Sequence, residues 1–339
     1  MAIRTALTET FGLQYPIVSA PMALVSGGRL AAKVSNAGGL GLVGGGYGDP
    51  DWLGEELSLA RQEAQRPWGV GLITWRSTHE TVELALAQNP HAFMLSFGDP
   101  KPYVPAIKEA GCQLICQVQD VEGALEAKAV GADFIVAQGT EAGGHGAEHA
   151  STLPLVPAVV DAVSPTPVLA AGGIADGRGL AAALMLGAQG VLMGTRFYAS
   201  IEALGHKEAK ERIVNARGDE TKRTRVFDVA RGIEWPEDYT GRALRNRFLE
   251  RWDEWEEELA AALDTEGPAF QEAMQEGDTD ITMIWCGEAA DLISDVPAAA
   301  ELVWRIGAEA EACLRSGNGL LNETGSARWN SDLRPSDTD

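Results

Sequence analysis

The chain has 339 residues, of which 45% are hydrophobic and 22% are charged, a composition typical of soluble globular proteins. It carries 49 acidic against 27 basic residues, so the formal net charge is −22. A surface of this sign repels phosphate backbones and anionic headgroups, which argues against a protein that binds nucleic acids or membranes.

Simple patterns also bear on localisation and metal binding. The first residues show no basic-then-apolar signal pattern, and no apolar run reaches the length of a membrane span. The four cysteines form neither CxxC pairs nor clusters with histidine, so no metal site is predicted. We therefore expect a cytoplasmic enzyme with reduced thiols.

Short apolar runs alternate with helical patterns between residues 16 and 200. The eight predicted strands are Ile17–Ala20, Leu40–Val43, Trp68–Ile73, Ala92–Ser96, Gln113–Gln117, Asp133–Ala137, Pro167–Ala171 and Gly190–Met193. They are apolar throughout, as is typical of a parallel sheet that is covered on its outer face. Eight successive βα units predict an α/β fold, and a (β/α)8 TIM barrel rather than an open sheet.

The sequence changes character after residue 201, where charge density rises and strand signals vanish. Arg242–Leu263 places apolar residues three or four apart, which predicts one long amphipathic helix. Its apolar face would pack on the barrel or on a second subunit, so a homodimer stays open. A closing helix is expected over Ala298–Leu314. The predicted organisation is a barrel over 1–205, a mostly helical extension over 206–315 and a polar, disordered tail over 316–339.

Three glycine-rich segments differ in what they predict. Gly39–Gly44 satisfies GxGxxG, but a helix precedes the glycines and a strand lies among them, which disfavours a dinucleotide site. Gly172-Gly173 and Gly194-Thr195 follow the seventh and eighth strands, where barrels commonly bind phosphate. Glycine lets backbone N–H groups approach phosphate oxygens, and Thr195 can donate from its hydroxyl. That these glycines only permit tight turns is the alternative.

Two further positions indicate a ligand site at the barrel mouth. Ala20-Pro21-Met22 ends the first strand and would suit contact with a flat ring, although methionine is more often plain core. His145 follows the sixth strand between glycines, in GTEAGGHGAEH, so we expect an accessible ring on the catalytic face. An imidazole can take or give a proton near neutral pH. The alternative is a solvated loop histidine.

Five motifs together resemble one known family. They are Pro16–Met22, Ser35–Gly41, Gln138–His145, Ala170–Arg178 and Leu186–Phe197. These segments look like nitronate monooxygenases, formerly called 2-nitropropane dioxygenases, which are FMN-dependent barrel enzymes. The resemblance is strong over residues 12–205 and returns weakly over 285–314. The same superfamily includes flavin-dependent enoyl-acyl-carrier-protein reductases and NADH:quinone reductases.

The resemblance implies FMN at the C-terminal mouth of the barrel and His145 as the catalytic histidine. Ala20, Pro21 and Met22 would lie along the isoalloxazine. The ribityl chain or ring would be approached by Ala142, Gly143 and Gly144. The phosphate would be held by Gly172, Gly173, Gly194 and Thr195. Glu141 would orient His145 or bind flavin hydroxyls.

Two positions assigned to the same cofactor site depart from the family pattern. Family members often carry Asn where this chain has Gly71, and Lys where it has Gln117. A lysine would stabilise negative charge on a reduced flavin, whereas Gln117 can donate only a neutral hydrogen bond. The flavin potential or the choice of substrate is therefore expected to differ.

The implied activity is oxidation of alkyl nitronates or nitroalkanes by FMN and O₂, with a carbonyl compound and nitrite as products. A reductase on the same barrel, which would use NAD(P)H to reduce a quinone or an enoyl thioester, is the alternative. A third interpretation is a regulatory barrel that only binds FMN. The partners expected in the first case are a small-molecule substrate and O₂.

Overall fold

A computed structural model describes residues 3–320. Its strands are β1 (Ile17–Ser19), β2 (Leu40–Gly44), β3 (Trp68–Ile73), β4 (Ala92–Ser96), β5 (Gln113–Val118), β6 (Phe134–Gln138), β7 (Gly144–Gly146), β8 (Val168–Ala171), β9 (Val191–Met193), β10 (Thr221–Thr224) and β11 (Thr240–Leu244). Its helices are α1 (Ala6–Phe11), α2 (Gly28–Asn36), α3 (Pro50–Glu63), α4 (His79–Leu86), α5 (Val104–Glu109), α6 (Val121–Ala129), α7 (Thr152–Val163), α8 (Gly177–Met185), α9 (Thr195–Tyr198), α10 (Lys207–Asn215), α11 (Val226–Ala230), α12 (Arg247–Trp252), α13 (Glu256–Ala261), α14 (Leu263–Glu276) and α15 (Ala299–Gly317).

Eight of the strands form a closed parallel barrel in the order β1-β2-β3-β4-β5-β6-β8-β9. The barrel closes where β1 pairs with β9, with Val18 opposite Leu192. Each of the eight strands predicted from the sequence coincides with a barrel strand to within one residue at either end. The predicted (β/α)8 TIM barrel is therefore confirmed.

Alternate strand positions pack into two separate apolar layers. Val18, Leu42 and Ile115 point into the barrel, where they pack with Leu7 and Phe11 of α1. Their sequence neighbours join the outer layer between the strands and the surrounding helices. Because α1 fills the N-terminal end of the barrel, only the C-terminal mouth can accept a ligand.

The prediction of one long helix over Arg242–Leu263 is wrong. Its first residues form β11, which pairs antiparallel with β10 and with β7. The remainder is broken between α12 and α13, where Glu254 has a φ of +67°. Phe248 and Leu259 are nevertheless buried. Two short helices joined by a turn can bury the same apolar positions as one long helix, so the spacing alone did not distinguish them.

The extension has its own apolar core and is not purely helical. Phe227, Phe248 and Phe270 are buried together beside the sheet β10-β11-β7. The predicted closing helix is α15, which returns to the barrel and packs against α8 and α2. This helix runs to Gly317, and residues 321–339 of the predicted tail lie outside the described residues.

Two further features concern the described part of the chain. None of its helices is long and apolar enough to cross a membrane, and no group of three or more His, Cys, Asp or Glu side chains could hold a metal ion. All four cysteines are free thiols. Burial raises the pKa of Cys116 and of Cys286 to about 12, so both stay protonated at neutral pH.

Candidate active site

The C-terminal mouth of the barrel contains a cavity of about 400 Å³. All but one of the predicted site residues lie in its wall. They are Ala20, Pro21, Met22, Gly71, Gln117, Ala142, Gly143, Gly144, His145, Gly172, Gly173, Gly194 and Thr195. The exception is Glu141, whose carboxylate accepts a hydrogen bond from the backbone N–H of Thr152 at 3.0 Å. Residues as far apart in the chain as Ala20 and Thr195 therefore meet at one cavity.

The loop after β8 presents bare backbone to the cavity. Gly172 and Gly173 have φ angles of +105° and +67°, in the left-handed region that favours glycine. Beside this loop, the Thr195 hydroxyl oxygen accepts a hydrogen bond from Gly287 N–H at 3.0 Å. The same hydroxyl also lies within hydrogen-bonding reach of the Cys286 thiol, and it lines the cavity.

His145 lies on β7 and is not the accessible loop residue that the sequence predicted. Its Nε2 is 2.8 Å from Oδ2 of Asp228. One ring face stacks on Trp235, with 3.6 Å between ring centroids and 7° between planes. The side chain is only 8% exposed. Asp228 orients the imidazole, and the carboxylate fixes the ring proton on Nε2. Of the two roles predicted for Glu141, orientation of His145 is therefore wrong, and binding of flavin hydroxyls stays a prediction.

Burial dominates the protonation of this histidine. It lowers the pKa of His145 below its ordinary value, although the hydrogen bond and charge of Asp228 act in the opposite direction. The guanidinium groups of Arg231 and Arg223 lower it further. The resting imidazole is therefore neutral at pH 7, and Nδ1 has no hydrogen-bond partner within residues 3–320. A neutral ring with one unpaired nitrogen can act as a base.

Sequence reasoning missed four residues around His145. Asp228, Arg231 and Trp235 come from α11 and the loop after it, and Tyr47 comes from the loop after β2. Asp228 on α11 and Arg231 directly after it stand three apart, a spacing common to many solvated ion pairs. Nothing in the local sequence distinguishes them. They come close to His145 only because β11 pairs with β7 and brings this part of the extension to the barrel mouth.

The two departures from the family pattern have structural counterparts. A Cβ on Gly71 would lie 2.3 Å from Cγ of Pro21, so a larger side chain has no room unless the proline moves. Gln117 Nε2 donates to Gln138 Oε1 at 3.1 Å, and Gln119 donates to the same oxygen at 2.9 Å. Gln138 in turn donates to the carbonyl oxygen of His145. A neutral amide network thus stands where the family often has a cation.

Both a family profile and curated relatives match this chain. The profile of the nitronate monooxygenase family matches residues 4–81 and 75–309. A probable nitronate monooxygenase from Staphylococcus aureus is 30% identical over 87% of this chain and 94% of that protein. An indene-carboxyl-CoA dehydrogenase from Mycobacterium tuberculosis is 37% identical, over 67% of this chain and 65% of that protein.

Two solved structures share the whole fold. FabK from Thermotoga maritima has a TM-score of 0.83 at 33% identity, with 94% of this chain and 100% of that chain covered. A nitroalkane oxidase from Streptomyces ansochromogenes has a TM-score of 0.77 at 28% identity, with 93% and 100% covered. Fold and site thus define a (β/α)8-barrel oxidoreductase of a flavin-dependent class. The chain belongs to the nitronate monooxygenase family.

Proposed function

We propose that this chain binds FMN without a covalent bond and oxidises alkyl nitronates with O₂ to a carbonyl compound and nitrite. The observation that carries the proposal is the buried pair of His145 and Asp228, of which His145 lines the cavity that also exposes the glycine loops. FMN bound in this cavity would supply electron transfer between the nitronate and O₂. Two nitronate anions and one O₂ balance two carbonyl molecules and two nitrite anions, so no added reductant is needed.

The residues of the cavity fit this cofactor. Gly172 and Gly173 offer backbone N–H groups at the cavity wall, and Thr195 offers a hydroxyl there. Ala20 and Met22 provide an apolar wall for a flat ring. A phosphate at one end and a ring along the other wall would place the flavin beside His145.

His145 is the proposed base for neutral nitroalkanes. Its Nδ1 would remove a proton from the carbon that bears the nitro group, and the product is a nitronate. The imidazolium that forms would be stabilised by Asp228, as a carboxylate stabilises the protonated histidine of catalytic triads. A preformed nitronate has already lost this proton and needs only binding.

A reductase is the second candidate function. It would use NAD(P)H to reduce a quinone or an enoyl thioester on the same barrel. The similarity to a protein named as a carboxyl-CoA dehydrogenase supports a thioester substrate. The amide of Gln117, in place of the lysine frequent in the family, also supports a reaction that differs from the typical one.

Anaerobic reduction of the flavin separates these functions. The FMN-loaded protein is mixed with propyl 1-nitronate, and in a second experiment with NADH, while the flavin absorbance is followed. We expect rapid bleaching by the nitronate and none by NADH. Rapid bleaching by NADH alone would establish the reductase instead. Bleaching by neither would leave a barrel that only binds FMN.

A further inference from the structure

Tyr47 belongs to the cavity wall and takes part in the environment of His145. It follows β2 in the chain and lines the cavity. Its ring meets Trp235 edge-on, with 6.2 Å between centroids, and the guanidinium carbon of Arg231 lies 4.9 Å from the ring centroid. Because Trp235 also stacks on His145, the phenol and the imidazole flank one indole.

The Tyr47 hydroxyl can act towards a ligand only as a hydrogen-bond donor. The oxygen accepts from Nη1 of Arg231 and from Nε1 of Trp235, each at 3.2 Å. A phenol oxygen has no further good acceptor position, so its own O–H must donate elsewhere. Within residues 3–320 no acceptor lies within hydrogen-bonding distance of that proton. A bond received from a guanidinium also strengthens the O–H as a donor.

The charges of the cavity wall favour an electron-rich oxygen at this position. Arg231 is the only lysine or arginine in the described wall, and that wall contains no aspartate or glutamate. Asp228, 3.6 Å from Arg231, lies behind the guanidinium and outside the wall. The positive end of this ion pair therefore faces the ligand, in a protein whose net charge is −22. A small anion gains most from such a site.

We propose that Tyr47, fixed by Arg231 and Trp235, donates a hydrogen bond to an oxygen of the substrate while His145 acts on the neighbouring carbon. This inference rests on the proposed function. The site would select compact carbon acids in which the atom bonded to the acidic carbon carries an electron-rich oxygen. Nitroalkanes meet that description, and nitronates are their conjugate bases with the same pair of oxygens. A thioester also meets it, with its α C–H beside a carbonyl oxygen.

The test is Tyr47→Phe, which removes only the oxygen and keeps the ring against Trp235. Stopped-flow reduction by propyl 1-nitronate gives the substrate Kd and the limiting rate. Loss of a hydrogen bond to a charged group should raise this Kd by about 10- to 100-fold. Tyr239→Phe is the matched control, because Tyr239 belongs to the same aromatic cluster but not to the cavity wall. We expect it to bind the nitronate normally, and both variants to keep their FMN.

Two additional measurements keep this inference separate from the proposed function. Butanoate, an anion that cannot reduce the flavin, is titrated by the change in flavin absorbance. Weaker butanoate binding by Tyr47→Phe supports the donor even if the wild type ignores nitronates. If the wild type instead reduces crotonyl-CoA with NADH, a raised KM for crotonyl-CoA in the variant assigns the same donor to a carbonyl oxygen. Unchanged affinity for both anions and unchanged KM would overturn the inference.

Discussion

The glycines on either side of His145 allow a left-handed backbone conformation and close packing, and they do not expose the ring to solvent. Gly144 has a φ of +72°, and a Cβ on Gly146 would lie 3.1 Å from side-chain atoms of Arg223. The sequence could place the histidine at the C-terminal mouth, since that follows from the end of a predicted strand. It could not give the environment of the ring, because Asp228 is 83 residues further along the chain.

Replacement of His145 by alanine should separate two substrate forms. A neutral nitroalkane must lose a proton, and general base catalysis typically contributes about 10²- to 10⁴-fold. We expect a loss of that order in kcat/KM with nitroalkanes and a smaller loss with preformed nitronates. Steady-state turnover of both forms at one pH, with flavin occupancy quantified, checks this. Small and equal losses would show that His145 is not the base, and loss of FMN would make it structural.

The pH dependence follows from the lowered pKa of His145. The base is lost as pH falls through that pKa, so the acidic limb of kcat/KM for a nitroalkane should lie below about pH 6.5, the ordinary value for histidine. Asp228 raises this pKa, hence Asp228→Asn should move the limb to still lower pH. It should also cost about tenfold or more in rate, because the imidazolium loses its partner.

Asp120→Asn provides the control for this pH profile. Asp120 lies 3.3 Å from His149 in a second histidine–aspartate pair, but both side chains are about half exposed. We expect its profile to match that of the wild type. A limb that stays in place in Asp228→Asn, or moves to higher pH, would contradict the pairing of Asp228 with the catalytic ring.

Among the loops at the barrel mouth, the loop after β9 allows a more direct test of FMN binding than the loop after β8. Any side chain on Gly173 is strained at a φ of +67°, so its replacement would confuse strain with ligand exclusion. Gly194 has an ordinary φ of −99°, and a Cβ there would lie 3.6 Å from Ala20 and from Met22, an ordinary contact. The added methyl would reach the cavity without disturbing the wall.

Gly194→Ala should therefore weaken FMN binding and leave the flavin-free protein stable. Overfilling a packed contact typically costs about 1–3 kcal/mol, which corresponds to roughly 5- to 150-fold in Kd. Fluorescence titration of FMN measures this Kd. Gly54→Ala in α3 is the control, because a Cβ there meets no atom within 4 Å. An unchanged FMN affinity in Gly194→Ala would remove this loop from the cofactor site.

The barrel strands could be predicted and the extension could not, for one physical reason. Each barrel strand is a short apolar run, and apart from the closing pair β1 and β9 its partners are the barrel strands next to it in the chain, so local pattern and fold agree. β11 pairs instead with β7, about a hundred residues earlier, and Thr240 lies opposite Gly146. Apolar spacing over 242–263 fits a helix equally well, and only this distant pairing decides for a strand.

In the whole molecule, barrel and extension supply different parts of the candidate site. The barrel loops provide the bare backbone and the apolar wall that would hold a flavin. The extension provides Asp228, Arg231 and Trp235, and β11 holds β7, the strand that carries His145. Although the net charge of the protein is −22, the described wall of this cavity has no carboxylate. In the proposed function, the surroundings of the base thus come from a part of the chain in which the sequence shows no family motif.

The last prediction concerns the stability of the whole barrel. A ligand that binds only the folded state stabilises it, by about 2.7 kcal/mol at a hundred times its Kd. For a chain of this size, FMN at that excess should raise Tm by roughly 4 °C. Riboflavin has the same ring but no phosphate, so at equal concentration it should give a smaller shift if the loop of Gly172 and Gly173 binds phosphate. Equal shifts would contradict the phosphate site, and no shift with either compound would contradict flavin binding.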